Sequence, residues 1–277
     1  MPAIELRDVG KSYGPREVLR GIHLSIEEGE FVSIVGCSAS GKTTLVKLAS
    51  GLMMPDRGSV VVNGEPVTDF SRQASIVFQN YSLLPWLSAL ENVRLAVESA
   101  FPDWNREKHV EQAREYLKKV GLGQAETKKP SQLSGGMRQR VAIARAFAVE
   151  PRVLFLDEPF GALDALTRAT LQQELVRLAS EPGRTLTTLM ITNNVDEAIL
   201  MSDRILALDR GPAASLSPAI SVDLPKPRGA SVALNDARAV RIRAQLAEFL
   251  TSGRKAKPNG ALVHAGGSVK LALEATQ

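Results

Sequence analysis

Hydrophobic and polar positions alternate near the start of the chain in a pattern typical of β-strands. Ile4 and Leu6 alternate with polar neighbours, and the segment Ser59-Val60-Val61-Val62 leads into Asn63-Gly64, which predicts a hairpin. Other segments are apolar on both faces, as expected of parallel strands that are covered by helices on either side. These segments are 31–35, 153–156, 185–192 and 205–208.

Segments with the periodicity of helices lie between these predicted strands. Apolar residues recur at helical spacing within 105–120, and Gly121 is placed to end that helix in a left-handed conformation. The pattern predicts only helices over about 80–150, whereas strands are predicted before and after this stretch. We therefore predict an α/β fold with an N-terminal antiparallel β subdomain and a helical subdomain inserted over about 80–150. Helices are also predicted over 42–52, 137–149 and 165–179.

The composition changes after residue 210. Five of the 15 prolines lie in 211–277, with nine basic and four acidic side chains, so this tail carries a charge of +5 and residues 1–210 carry −1. A nucleic-acid-binding protein usually has a basic face on its folded body. Because the excess charge belongs to the tail, we expect no nucleic-acid partner. Within the tail, apolar residues at helical spacing predict one amphipathic helix over 235–251.

The overall composition is that of a globular protein, with 44% hydrophobic and 23% charged residues. A single cysteine, Cys37, excludes an internal disulfide framework and a zinc site built from cysteines, and it fits a reducing compartment. No stretch approaches the roughly 18 apolar residues of a membrane span, and the N-terminus does not resemble a signal peptide. We therefore expect a soluble, cytosolic protein.

The strand predicted over 31–35 leads into a phosphate-binding motif, G-x-x-x-x-G-K-[ST], at 36–43. Consecutive backbone N–H groups at the N-terminus of a helix form a cradle for phosphate oxygens. Lys42 would supply a positive charge to the outer phosphates, and the Thr43 hydroxyl can ligate Mg²⁺. The nucleotide-binding residues predicted here are Gly36, Cys37, Ser38, Ala39, Ser40, Gly41, Lys42, Thr43 and Thr44.

Two adjacent carboxylates, Asp157 and Glu158, follow the buried strand over 153–156. Burying carboxylates without compensation is costly. Beside a phosphate-binding strand, Asp157 would hold Mg²⁺ through its water shell and Glu158 would polarise the water that attacks the γ-phosphate. A polar loop is the alternative interpretation of this pair in isolation. Because the strand over 185–192 ends in Asn193-Asn194, we expect all these groups at the carboxyl edge of one parallel sheet, where such sheets bind ligands.

The segment 133–140, Leu-Ser-Gly-Gly-Met-Arg-Gln-Arg, resembles the signature motif of ABC proteins, and residues 3–210 resemble an importer-type ABC-transporter ATP-binding subunit. The resemblance implies a P-loop NTPase fold with a RecA-like parallel-sheet core, in an ATPase domain spanning 1–210. It also implies that Ser134, Gly135 and Gly136 reach across a dimer to the γ-phosphate of the partner's ATP. An ordinary helix N-terminus capped by serine is the alternative.

Three single residues match further positions of the family. Tyr13 matches the aromatic residue that stacks on adenine. Gln79 matches the glutamine that senses Mg²⁺ and the γ-phosphate. Asp164 matches a position of the D-loop, which communicates across the dimer. The alternatives are a half-buried strand tyrosine, a polar loop residue and a turn before a helix. The resemblance thus implies a catalytic set of Glu158, Gln79 and Asn193, and a metal-binding set of Thr43, Gln79 and Asp157.

Three residues depart from the family pattern. Ala39 stands where the family often has glycine, which is harmless in a right-handed or extended conformation and strained in a left-handed one. Met137 replaces the glutamine that closes many signature motifs, a variant associated with importers. Asn193 stands where the family usually has a histidine that orients the attacking water. An amide can donate a hydrogen bond but cannot relay a proton, so we expect slowed but retained ATP hydrolysis.

An apolar cluster at 83–87, which contains Trp86, follows Gln79. It could belong to the core of the helical subdomain, or it could form the groove that in the family accepts the coupling helix of the membrane subunit. The resemblance implies three partners: a second ATP-binding subunit, permease subunits contacted through 79–87, and indirectly a periplasmic solute-binding protein. It also implies a location at the cytoplasmic face of the inner membrane.

The function implied by the resemblance is ATP-driven import, with ATP and Mg²⁺ bound by this subunit. The residues around Trp86 and Asn193 resemble the nitrate/sulfonate/taurine branch, and Asn193 favours nitrate, cyanate or bicarbonate. One alternative is a soluble ABC ATPase outside transport, although such proteins usually carry two cassettes, cysteine zinc modules or long coiled coils. Another is a regulatory subunit of a heterodimer with a weakened site, which Asn193 suggests.

Overall fold

The computed structural model describes residues 1–71, 73–181, 183, 185–226, 228 and 235–252. Ten strands are present in these ranges. In chain order they are β1 (Pro2–Tyr13), β2 (Arg16–Glu27), β3 (Phe31–Gly36), β4 (Arg57–Val62), β5 (Glu65–Pro66), β6 (Ala74–Val77), β7 (Val153–Asp157), β8 (Thr187–Thr192), β9 (Arg204–Leu208) and β10 (Ile220–Ser221).

The strands form two sheets. An antiparallel sheet has the order β2-β1-β4-β5, and a six-stranded sheet has the order β10-β9-β3-β8-β7-β6. In the second sheet every pair is parallel except β9 with β10. The predicted hairpin is present, since Val62 pairs with Glu65 and both turn residues are left-handed, with φ of 51° at Asn63 and 79° at Gly64. The predicted α/β architecture is confirmed.

Seven α-helices accompany the sheets in the described residues: α1 (Lys42–Ala49), α2 (Ala89–Ala100), α3 (Arg106–Lys119), α4 (Gly135–Ala148), α5 (Ala165–Ala179), α6 (Val195–Met201) and α7 (Ala237–Ser252). Short 3-10 turns lie at Gly123–Ala125 and Pro130–Gln132. Thus α2, α3 and α4 occupy the stretch between β6 and β7. In the part of the chain that the structure describes, no helix combines the length and apolar character needed to cross a bilayer.

Helix ends follow local backbone chemistry. Gly121 has φ 71° and ends α3 as the sequence predicts. Helix α1 is shorter than the predicted 42–52, because Gly51 is left-handed with φ 80° and a Cβ there would lie 2.4 Å from the Asp69 carbonyl oxygen. Helix α4 begins at residue 135 instead of 137, because Ser134 caps it.

The six-stranded sheet is buried on both faces. On one face, Val32 and Ile34 of β3 pack with the antiparallel sheet and α1. On the other face, Val35 packs with residues of α6 and α7, whereas Leu154 and Leu156 of β7 pack with α4 and α5. Alternate strand residues therefore enter different cores, which explains the continuous apolar runs in the sequence.

Helix α7 lies close to the predicted 235–251 and docks on α6 and β9. Its residues Ala239, Ile242 and Leu246 are buried in a cluster with residues of those two elements. Arg243 Nε also lies 2.6 Å from Asp196 Oδ1 at the start of α6. The chain after residue 210 thus includes a helix that covers α6. Residues 253–277 of the predicted tail lie outside the described residues.

The strand register brings four strand ends to one level at the carboxyl edge of the sheet. Val35 pairs with Thr192, Asp157 with Ile191, and Val77 with Leu156. The turns that leave β3, β6, β7 and β8 therefore meet at this edge. Those turns carry the phosphate-binding motif, Gln79, Glu158 and Asn193.

Candidate functional site

The backbone at 36–41 turns sharply from β3 into α1, and two glycines permit that turn. Gly41 has φ 103°, and a Cβ there would lie 2.9 Å from Val18 Cγ1. A Cβ on Gly36 would lie 2.8 Å from Ser40 Oγ. The Ser40 hydroxyl is buried and, among the described residues, has no hydrogen-bond partner. The turn therefore places an unsatisfied hydroxyl beside the N-terminus of α1, where backbone N–H groups attract phosphate oxygens.

Ala39 in this turn is left-handed, with φ 63°. The sequence leaves its conformation open, and the structure assigns it the strained alternative. A left-handed conformation costs a residue with a Cβ about 1–2 kcal/mol. Its side chain is exposed, as is that of Ser38, whereas Cys37 and Thr44 are half-buried. The Cys37 thiol accepts a hydrogen bond from Arg210 Nε at 3.3 Å.

Lys42 is only 4% exposed and lies beneath the turn. Its Nζ donates to the carbonyl oxygens of Gly36 at 3.0 Å and Cys37 at 2.9 Å. The same atom forms an ion pair of 3.2 Å with Glu158 Oε1. The positive charge is therefore held between the phosphate cradle and a carboxylate that follows β7.

The Thr43 hydroxyl donates to Asp157 Oδ1 at 3.1 Å, which joins the start of α1 to the end of β7. Asp157 is buried, and burial raises the pKa of its carboxyl above the ordinary value, an effect that the Thr43 hydrogen bond opposes. These hydroxyl and carboxylate oxygens, together with the Gln79 amide oxygen, are of the hard donor type that Mg²⁺ prefers. The donor set therefore fits a magnesium ion held beside phosphates.

Glu158 and Gln79 are in direct contact, although 79 positions separate them in the chain. Gln79 Nε2 donates to Glu158 Oε2 at 3.2 Å. Glu158 is left-handed with φ 45°, and its backbone N–H donates to the Ile191 carbonyl oxygen at 2.9 Å. This unusual backbone turns the carboxylate towards Lys42 and Gln79. The structure thus unites the glutamine, the glutamate and the lysine that the sequence selected.

Asn193 lies between β8 and α6 at the same edge and is exposed. Its neighbour Asn194 has a different task, because Asn194 Oδ1 accepts the backbone N–H of Asp196 at 2.9 Å and caps α6. Asn194 therefore has a structural role, whereas Asn193 is the more exposed of the pair.

The segment 134–136 forms a second helix N-terminus at the start of α4. Ser134 Oγ accepts the Met137 N–H at 3.2 Å, as in an ordinary cap. A Cβ on Gly136 would lie 2.5 Å from Thr167 Cγ2, whereas one on Gly135 would lie 3.4 Å from the Tyr81 hydroxyl and 4.0 Å from Leu163 Cδ2. Within the described ranges, no hydrogen bond or ion pair joins 134–136 to 36–44. A single protomer does not unite the two predicted anion sites by direct contact.

Of the two other predicted nucleotide contacts, Asp164 lies close to the 134–136 turn, whereas Tyr13 lies at the end of β1. Asp164 Oδ1 accepts the Thr167 N–H at 3.0 Å and caps α5, and this bond lowers the pKa of its carboxyl. Tyr13 ends β1 with 48% of its surface exposed, and its hydroxyl donates to Met53 Sδ at 3.2 Å. The ring of Tyr13 is accessible, as stacking on a base requires.

Trp86 is 66% exposed, so of the two interpretations left open for its cluster, the core of the helical part does not hold for this residue. The apolar cluster divides, since Leu83 packs in that core whereas Trp86 faces solvent. Buried Asn92 holds the loop, because its Nδ2 donates to the carbonyl oxygens of Leu87 and Ser88 at 3.1 and 2.9 Å. Aromatic side chains are enriched at protein interfaces, so the exposed indole favours the second interpretation of this cluster, a surface that contacts a partner.

Sequence reasoning missed Arg145 of α4. Arg145 is half-buried, and its guanidinium donates to the carbonyl oxygens of Tyr81 at 2.9 Å and Ser82 at 2.6 Å. Both residues are left-handed, with φ 65° and 45°. Burial lowers the pKa of Arg145, whose partners are neutral carbonyls. Arg145 thereby fixes the loop between Gln79 and Trp86, a role that a single arginine in a helical pattern does not reveal.

Comparisons with known proteins agree with these features. A model of the ABC transporter family matches residues 19–161. The chain is 42% identical over 246 residues to the nitrate import ATP-binding protein NrtD of Synechococcus elongatus, covering 87% of this chain and 89% of that protein. It is 42% identical over 253 residues to the bicarbonate transport ATP-binding protein CmpD of the same organism, covering 90% of each chain.

A solved structure has the same fold. It is a dimeric post-hydrolysis state of the ATP-binding cassette MJ0796 bound to ADP and Pi, with 34% sequence identity and a TM-score of 0.71. The match covers 82% of this chain and 99% of that one.

Proposed function

Because this chain belongs to the ABC transporter family, and its fold is the P-loop ABC ATPase fold that its motifs predict, we propose that it is the ATP-binding and ATP-hydrolysing subunit of an importer for nitrate or bicarbonate. The observation that carries the proposal is the contact of Lys42, Glu158 and Gln79 beneath the phosphate cradle. The two relatives named above support an anion substrate. Neither supports a sulfonate or a function outside transport.

ATP would bind with its phosphates on the backbone N–H groups of 37–44 and its base against Tyr13. Lys42 would exchange its carbonyl partners for phosphate oxygens. Thr43, Gln79 and Asp157 would hold Mg²⁺, which when bound neutralises phosphate charge. The nucleotide is thus gripped at the edge where the four strands end.

Hydrolysis requires a group that accepts a proton from the attacking water. Glu158 is placed for this task, since Lys42 and Gln79 hold its two carboxylate oxygens at 3.2 Å each. Asn193 would donate one hydrogen bond from its amide to the γ-phosphate or the water. Because an amide cannot relay a proton, the proposal includes a slower rate than a histidine would give.

The functional unit in this proposal is a dimer. Ser134, Gly135 and Gly136 of one subunit would meet the γ-phosphate held by 36–43 of the other, since a helix N-terminus attracts anions. Asp164 would lie at the same interface. The dimeric state of the similar cassette MJ0796 supports this arrangement.

Movement of the dimer would pass to separate membrane subunits. Trp86 and its anchored loop are the contact that we propose, because they join an exposed indole to the loop that carries Gln79. Such docking would hold the protein at the cytoplasmic face of the inner membrane. A periplasmic solute-binding protein would act on the far side of the membrane without touching this chain.

The test combines purified protein and cells. Glu158→Gln is expected to lower the kcat of Mg-ATP hydrolysis at least ~100-fold with ATP affinity retained, whereas Glu111→Gln, an exposed change on α3, leaves kcat unchanged. Cells that lack the chain should lose uptake of labelled nitrate or bicarbonate. Restoration of that uptake by Glu158→Gln would contradict the proposal.

A further inference from the structure

Glu197 in α6 holds the residues on both sides of Asn193. Its side chain is buried, with Oε2 accepting the Thr192 hydroxyl at 2.7 Å. Thr192 Oγ1 in turn accepts the Asn194 N–H at 3.0 Å. The backbone N–H of Glu197 donates to Asn194 Oδ1 at 3.3 Å. Glu197 therefore fixes, through hydrogen bonds, the residues immediately before and after Asn193.

The same carboxylate faces a second loop of the site. Its Oε1 lies 3.6 Å from Arg168 Nε of α5. Arg168 Nη2 donates to the Leu163 carbonyl oxygen at 3.0 Å, within the turn 161–164. Glu197 and Arg168 thus connect the Asn193 loop to the turn that carries Asp164.

A buried carboxylate is costly to maintain unless its partners are well placed. Burial raises the pKa of Glu197, and the Thr192 hydrogen bond and the Arg168 charge act in the opposite direction. An apolar residue could fill the same space without this cost. A carboxylate at this buried position therefore indicates a task beyond packing.

We propose that Glu197 is a positioning residue for ATP hydrolysis, which fixes Asn193 through Thr192 and Asn194 and couples it to the 161–164 turn through Arg168. The inference rests on the proposed function, since it takes Asn193 to face ATP. Misplacing a reacting contact by about 1 Å can cost ~100-fold in rate. Loss of the carboxylate should therefore act on kcat, while the phosphate cradle and the affinity for ATP stay as they are.

The experiment measures kcat and KM for Mg-ATP hydrolysis by the full chain and its variants. Glu197→Ala is expected to lower kcat roughly 10- to 100-fold with KM changed less than about twofold. Glu197→Gln, which can still accept from Thr192 but loses the charge opposite Arg168, should fall between the parent and Glu197→Ala. Once Asn193 is replaced by alanine, Glu197→Gln should have no further effect, because nothing is left to position.

A matched control is the ion pair of Arg140 and Glu174, which joins α4 and α5 at 3.0 Å. Glu174→Gln should leave kcat unchanged. If Glu197→Ala does not fold by circular dichroism, Arg168→Met tests the same link and should lower kcat alone.

The outcomes separate this inference from the function on which it rests. A parent protein that hydrolyses no ATP would overturn the proposed function. If the parent hydrolyses ATP and both Glu197→Gln and Arg168→Met have the parental kcat, only the inference is overturned. The inference would also be overturned if Asn193→Ala turned over at the parental rate, or if Glu197→Ala changed only KM. An additive effect of Glu197→Gln and Asn193→Ala on kcat would overturn it as well.

Discussion

Several residues other than glycine adopt a left-handed backbone conformation in the loops of the site. Ala39, Glu158 and Tyr81 have φ of 63°, 45° and 65°, and each lies in a loop that carries a predicted ligand contact. Such conformations cost free energy and persist only where surrounding contacts enforce them. For Glu158 and Tyr81 those contacts are visible, in Lys42 and Arg145. Ala39 is exposed, and its strain is therefore the easiest to relieve.

Ala39→Gly is expected to raise the free energy of unfolding by about 1 kcal/mol, because glycine adopts a left-handed conformation without a Cβ clash. Urea denaturation followed by circular dichroism measures the change. The matched control is Ala247→Gly at an exposed position of α7, where the same substitution should lower that free energy by up to about 1 kcal/mol. If both substitutions change the free energy of unfolding in the same direction, Ala39 is not left-handed.

Asn193→His is expected to increase kcat for ATP hydrolysis several-fold, up to ~100-fold, because an imidazole can both donate a hydrogen bond and relay a proton. Steady-state turnover of the purified protein gives the rate. Asn193→Ala should be slower than the parent. If Asn193→Ala turns over like the parent, position 193 has no catalytic role.

At the scale of elements, the chain after β9 is fastened to α6 by Arg228. Its guanidinium donates to the carbonyl oxygens of Ile199 at 2.8 Å, Ser202 at 2.6 Å and Val222 at 3.0 Å. The first two lie at the end of α6, and the third lies beside β10. Arg228 therefore satisfies helix-end carbonyls that would otherwise lack partners.

Arg228→Met should lower the free energy of unfolding by about 2–3 kcal/mol, because hydrogen bonds from a charged donor are lost and carbonyls are left unpaired. The matched control is Arg241→Met on the exposed face of α7, which also removes one positive charge. The hydrogen bond lost there is a 3.4 Å contact to the Ala237 carbonyl oxygen of the same helix. The control should stay within about 0.5 kcal/mol of the parent. Urea denaturation compares both, and similar losses would contradict the fastening role.

At the scale of the molecule, the 134–136 turn is the part whose proposed role depends on a second copy. Ser134→Ala removes the cap of α4 and should cost about 1 kcal/mol of stability. When combined with Glu158→Gln, which is expected to leave bound ATP unhydrolysed, Ser134→Ala should also abolish ATP-dependent dimerisation. Size-exclusion chromatography with multi-angle light scattering, with and without Mg-ATP, measures the dimer.

Asn105→Ala is the matched control, since it removes the cap of α3, where Asn105 Oδ1 accepts the Lys108 N–H at 2.9 Å. The loss of stability should be similar, with dimerisation unaffected. Equal dimerisation of the two variants would exclude a role for Ser134 across the interface.

The sequence by itself determined the local chemistry of this protein. The strand predicted over 31–35 and the motif after it, the carboxylates at 157–158, the hairpin at 63–64 and the stop at Gly121 depend on near neighbours and on backbone preferences. These features can be identified without knowing what packs against them. The family membership follows from the same motifs and is confirmed.

Only the tertiary structure decided how distant segments combine. Arg145 with residues 81–82, Arg168 with Glu197, and the pair Gln79 and Glu158 meet because strands and helices far apart in the chain pack side by side. Whether Trp86 was core or surface also depended on that packing. A pattern of residue types specifies which groups a chain carries, whereas the contacts between distant groups depend on how whole elements exclude water together.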